Sequence, residues 1–168
     1  WTEAGRKWRM GRKVKGPEEN APIFQTPNHP RVGVSWYEAA AFCRWLGEKT
    51  KDRSSRREEA LTSGKDGASS PRLLSGEAVR LPSEAEWERA ARGTQGRRHP
   101  WGDEPLTPNH CNWGEAGIGS TSAVGMFPKG DTPPEAGNEL GVADLAGNVW
   151  EWCRTRWLSD YADYEKKE

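Results

Sequence analysis

The chain has 168 residues, which fits one domain by length and leaves room for one core that buries roughly two-thirds of the unfolded surface. Lysine plus arginine and aspartate plus glutamate number 25 each, so charge makes no case for nucleic acid or an anionic membrane as partner, and no run approaches the roughly 18 apolar residues of a membrane span. With 33% hydrophobic residues and a mean hydropathy of -0.98, the core falls to a few large side chains, and the ten tryptophans are the candidates.

Residues 1–34 contain the X-Pro steps Ala21-Pro22, Thr26-Pro27 and His29-Pro30, which favour extended or turn backbone and predict an extended arm. Ser35-Trp36-Tyr37-Glu38 then has the form of a capping box, followed by apolar residues at 39, 42, 43 and 46 on one helical face, so a helix is expected over about 36–49. Residues 50–77 hold Lys, Arg, Ser, Gly and Glu with little to bury and read as a solvated insertion loop; its Arg53-Ser-Ser-Arg-Arg57 cluster could touch a phosphate, but reads first as exposed charge. Ser83-Glu84-Ala85-Glu86 repeats the capping box, Trp87, Ala90 and Ala91 supply an apolar stripe, and Gly93 ends a second helix over about 84–92. From 94 to 143 the chain is rich in Gly, Pro, Asn, Ser and Thr, with short runs such as Ala123-Val-Gly-Met-Phe127 that could be strands. Two main helices and a long turn-rich stretch predict an α+β fold.

Cys43, Cys111 and Cys153 are too few for a disulfide framework and form no Cys-x-x-Cys pair; one disulfide and three free thiols are both open. Cys43 lies on the apolar helix face and reads as core. His29, His99 and His110 show no zinc-ligand spacing among themselves or with the cysteines. Asn148 and Glu151, three apart beside Gly147, offer the hard oxygens that Ca²⁺ prefers, but on spacing alone a turn-forming Asn and a solvated Glu are the better explanation. Trp150 and Trp152 share a face if the segment is extended, and then serve the core.

Five motifs stand in order along the chain. They are Val34-Ser-Trp-Tyr-Glu-Ala with Phe42-Cys-Arg-Trp-Leu46, Arg80-Leu-Pro-Ser-Glu-Ala-Glu-Trp-Glu-Arg-Ala-Ala-Arg-Gly93, Pro100-Trp-Gly-Asp-Glu104, Val124-Gly-Met-Phe-Pro128 and Asp144-Leu-Ala-Gly-Asn-Val-Trp-Glu-Trp152. Together they closely resemble the formylglycine-generating-enzyme (sulfatase-modifying factor) family over about residues 30–157. The resemblance implies a C-type-lectin-like fold of low regular structure with calcium bound for structure, in a single partial domain over 1–168. Carried over by motif, one calcium falls to Asn148 and Glu151 with carbonyls of Ala146, Gly147 or Val149. Asn112 and Trp113 match the start of a second calcium site; its usual downstream carboxylate is absent from Gly117-Ile-Gly-Ser-Thr-Ser122, and Glu115 is the substitute on offer.

Active members of that family oxidise a peptide cysteine in a sulfatase-like polypeptide to formylglycine with copper and O₂, using two cysteines near the C-terminal end of the domain. Thiolates suit Cu(I), which is why that chemistry needs Cys. This chain stops at Glu168, before that segment would begin, and its three cysteines sit in or beside scaffold motifs, so no catalytic residue is assigned in it. The expectation is therefore part of a formylglycine-generating-type oxidoreductase. The alternatives are a non-catalytic lectin-like binding module, such as the variable proteins of diversity-generating retroelements, or a relative of the non-haem iron sulfoxide synthases, although no His-rich iron motif is present. A monomer or one part of a larger multidomain protein is expected, without nucleic acid or membrane as partner. No secretory leader is visible; the compartment stays open, with the cytoplasm as default.

Overall fold

The computed structural model describes residues 3–12, 22–62, 79–134 and 141–157. They belong to two compact units, one made of Trp1–Pro17 and Ser35–Leu81, the other of Glu18–Val34 and Pro82–Glu168.

The first unit holds α1 (Glu3–Arg12) and α2 (Trp36–Thr62). Helix α1 corrects the expectation of an extended arm, because every X-Pro step lies beyond Arg12 and no proline interrupts Glu3–Arg12. Gly5 and Gly11 each cost this helix about 1 kcal/mol relative to Ala. The ring of Trp8, 5.6 Å from that of Tyr37, supplies a tertiary contact that propensity omits, and an exposed Glu3–Lys7 pair at 2.9 Å adds little. At the start of α2 the expected capping box forms: the Glu38 carboxylate accepts from the Ser35 N–H at 2.8 Å, and the Ser35 hydroxyl accepts from the Glu38 N–H at 3.3 Å.

Helix α2 runs on to Thr62, so the first thirteen residues of the expected loop at 50–77 are helical instead. No Gly or Pro lies between Gly47 and Gly64, and Glu, Lys, Arg and Ala are strong helix formers. Polarity argues against burial but not against helix. The rest of that expected loop, 63–77, lies outside the described residues, as do the side chains of the Arg53–Arg57 cluster. The expected apolar stripe is only partly covered: Phe42 is exposed and Cys43 half-buried, so the expectation that Cys43 is core does not hold.

The second unit is built round α3 (Glu84–Arg92), which has the bounds its capping box predicts. The Ser83 hydroxyl accepts from the Glu86 N–H at 3.1 Å while the Glu86 carboxylate accepts from the Ser83 N–H at 2.7 Å. Ser83 is buried, and Ser83→Ala is expected to lower stability by about 1 kcal/mol, read as a shift of the urea midpoint at unchanged slope. Three single 3-10 turns, Pro22–Phe24, Gly114–Ala116 and Pro128–Gly130, and irregular chain make up the remainder.

Among the described residues no strand forms, and the β component of the α+β expectation is limited to one isolated antiparallel bridge between His99 and Gly102. The run Ala123–Phe127 shows why. Gly125 sits at φ 73° and the Met126 N–H returns to the Ala123 carbonyl at 3.2 Å, so the run turns where a strand would continue.

The tryptophan core is corrected as well. None of the nine described tryptophans is buried, and Trp150 and Trp157 are almost wholly exposed. The buried residues of the second unit include Ala91, Cys111 and Leu145, Pro100 and Gly130, and the polar Ser83, His110, Asn112, Thr121, Ser122 and Thr132. Small hydrogen-bonded side chains fill the interior because the backbone crosses itself closely there, leaving no room for indoles. Trp101 instead stacks between His99 and His110, with centroids 4.8 and 4.4 Å away.

Candidate functional site

The segment Leu145–Glu151 makes a tight loop through two successive left-handed residues, Gly147 at φ 74° and Asn148 at φ 64°. Glycine is required at 147, since a Cβ there would collide with the Asn112 carbonyl oxygen. Asn148 tolerates the left-handed region better than other residues with side chains. Its backbone N–H donates to the Asn112 carbonyl at 2.7 Å. Its side-chain amide pairs with the backbone of Ser122 in both directions, accepting from the N–H at 2.9 Å and donating to the carbonyl at 3.1 Å. Asn112 is itself buried, and its amide donates to the Ser120 carbonyl at 2.8 Å.

Three stretches far apart in sequence, at 112, 120–122 and 147–148, are thus knitted through two asparagines. The structure brings both sets of expected metal ligands, at 112–113 and 146–151, into one neighbourhood. Trp113 follows Asn112 and is half-buried; Glu115 is exposed on the turn Gly114–Ala116. Ser122 is a site residue that sequence reasoning missed. Its contribution is through its backbone, which leaves no signature in residue type.

Glu151 is exposed and accepts from the Trp87 indole N–H at 2.8 Å, which ties the loop to α3. Two open clefts of about 630 and 670 Å³ share the wall formed by residues 148–151. Cys153 lines the first. Burial, and then the charges of Glu84 and Glu151, push its thiol above the ordinary range. Burial does the same for Cys111, and for Cys43 it outweighs an opposing backbone hydrogen bond. None of the three is in a disulfide, and the upward shifts lower the fraction of reactive thiolate at neutral pH.

A pair of carboxylates was also not singled out from the sequence. Asp144, at φ 59°, accepts from the Gly125 N–H at 2.7 Å. Asp131 keeps one carboxylate oxygen buried with no hydrogen-bond partner, and burial, then the Asp144 charge, push its carboxyl up. The folded state therefore holds this proton more tightly than the unfolded chain does. Its stabilising effect is complete below the unfolded pKa and is lost as pH rises through the folded one. Asp131→Asn is expected to raise the melting temperature at neutral pH, the gap narrowing as pH falls through the raised folded pKa and closing by about pH 4. Equal melting temperatures at pH 7 would show that the carboxylate is not penalised.

Among the described residues no three of His, Cys, Asp and Glu gather where they could hold a metal ion. A cation at this loop would be held by amide, carbonyl and single carboxylate oxygens, the donor set of a hard ion. The Asn148 and Glu151 oxygens that already accept a hydrogen bond each keep a second lone pair, so these residues fit calcium. They do not fit copper, which calls for thiolates.

The model of the sulfatase-modifying factor enzyme 1-like domain matches residues 1–167. The formylglycine-generating enzyme of Thermomonospora curvata is 36% identical over 88% of this chain and 40% of its own length. The inactive C-alpha-formylglycine-generating enzyme 2 of Bos taurus is 32% identical over 87% of this chain and 38% of its own. This chain thus spans about two-fifths of these relatives. The solved structure of PvdO from Pseudomonas aeruginosa superposes with a TM-score of 0.55 at 26% identity, over 95% of this chain and 56% of that one. Its agreement fits a fold of formylglycine-generating type with little regular structure. With matches of this extent, the chain belongs to the sulfatase-modifying factor enzyme 1-like domain family.

Proposed function

We propose that this chain forms the scaffold of a formylglycine-generating-type oxidoreductase, whose whole protein oxidises a cysteine of a sulfatase-like polypeptide to formylglycine. The observation that carries this reading is the family match along residues 1–167, joined to relatives named formylglycine-generating enzyme at 31–36% identity. Within the chain the role of the loop at 145–151 is architectural. Its asparagine clamp and the Trp87–Glu151 bond hold the loop in place, and no described residue acts as a catalytic nucleophile or copper ligand. Mixing residues 1–168 with Cu(I), O₂ and a cysteine peptide should leave the peptide unconverted by mass spectrometry. Conversion would overturn this assignment of roles, while the longer parent protein should convert it.

Calcium belongs to the same proposal. Asn148 and Glu151, with carbonyls of Ala146, Gly147 or Val149, would hold one ion and cross-link the loop; Asn112 and Trp113, with Glu115, are the second candidate set. Millimolar calcium is expected to raise the melting temperature over that in chelator, and the double change Asn148→Ala with Glu151→Ala to abolish the response. Identical curves for the parent chain in both buffers would remove calcium from the account.

A non-catalytic binding module is the second reading, favoured by the relative named inactive and by the two open clefts. A longer parent protein that binds a polypeptide or small ligand without converting a cysteine peptide would select it.

A further inference from the structure

The smaller cleft has a chemistry of its own. Among its lining residues are three tryptophans, Trp87, Trp113 and Trp150, and two acidic residues, Asp144 and Glu151. Among the described residues no lysine or arginine lines it. Its volume of about 630 Å³ lies in the range of small-molecule sites. Trp87 and Glu151 are fixed together by their 2.8 Å hydrogen bond, so an aromatic ring and a negative charge sit side by side. Trp150 is fully exposed and offers an indole that a ligand can cover.

We propose that this cleft binds an organic cation carrying a methylated ammonium group. The face of an indole is electron-rich and attracts a cation placed over it. A methylated ammonium is bulky and weakly hydrated, so it gives up little solvation on leaving water and presents methyl groups to apolar walls. Asp144 and Glu151 supply the counter-charge. An anion would find no cation to pair with, and a neutral apolar molecule would draw nothing from the carboxylates. The neighbouring cleft of about 670 Å³ includes Arg31 in its wall, which makes it the poorer host for a cation.

The test pairs choline with its uncharged isostere 3,3-dimethylbutan-1-ol, titrated into the whole chain at low salt in the presence of chelator. Binding is read by calorimetry and by tryptophan fluorescence. Choline is expected to bind at least about tenfold more tightly than the isostere. Glu151→Gln should reduce choline affinity several-fold while leaving the isostere unchanged, and Trp113→Leu should weaken choline more than Trp113→Phe does. Should Glu151→Gln fail to fold by circular dichroism, Asp144→Asn serves as the charge-removal variant. Equal affinity for the two ligands, no binding of choline, or indifference to charge removal would each overturn the proposal. None of these outcomes depends on copper, on calcium or on the activity of the longer protein.

Discussion

Replacing Gly147 by alanine is expected to cost about 3 kcal/mol, which for a chain of this size is a fall in melting temperature of roughly 10 °C. Two effects add. The left-handed backbone at φ 74° penalises any side chain by about 1–2 kcal/mol, and the new Cβ meets the Asn112 carbonyl oxygen, with the Cys111 Cβ 3.0 Å away. Gly119 separates the two, because it has φ 70° but nothing within 4 Å of an added Cβ. Gly119→Ala should show the backbone penalty alone, about 1 kcal/mol. Equal losses at the two positions, by urea midpoint, would mean that the loop can move off Asn112 and that the crossing is not rigid.

The second large effect is expected at Asn148. Asn148→Ala leaves the N–H and carbonyl of Ser122 without their partners in a residue only 3% exposed, and it puts alanine at φ 64°. The sum is about 3 kcal/mol. Asn148→Gly removes the same hydrogen bonds but accepts the backbone angle, so it should be about 1 kcal/mol less damaging than Ala. If Ala and Gly cost the same, strain at 148 is not part of the balance. If neither costs more than a few tenths, the amide clamp contributes nothing net and water replaces it. Both measurements are made in chelator, which keeps them separate from any calcium response.

The elements that the sequence made legible are those whose cause lies within a few residues. Helix α3 carries its start in Ser83 and Glu86 and its stop in Gly93, so its bounds follow from local hydrogen bonds. The start of α2 is legible for the same reason. Its end is not, because polar composition was weighed above helix propensity where nothing in 48–63 breaks a helix. Helix α1 escaped because its partner, Tyr37, lies almost thirty residues away. At the candidate site, Gly147 and Asn148 stood out by type and order, whereas Ser122 and Asp131 did not, since their significance arises from partners 26 residues distant in one case and from a missing partner in the other.

By itself, then, the sequence determined the two capping boxes, the ordered motifs that mark the family, the absence of an apolar run long enough for a membrane span, and the oxygen-rich character of 145–151. Each of these is carried by residue type and short spacing. Only the tertiary structure decided that Asn148 is clamped to Ser122 and Asn112, that none of the three cysteines is in a disulfide, and that no described tryptophan is buried while four of them line open clefts. Those properties depend on which distant backbone groups meet and how much water they exclude, and neither is written in any single stretch of the chain.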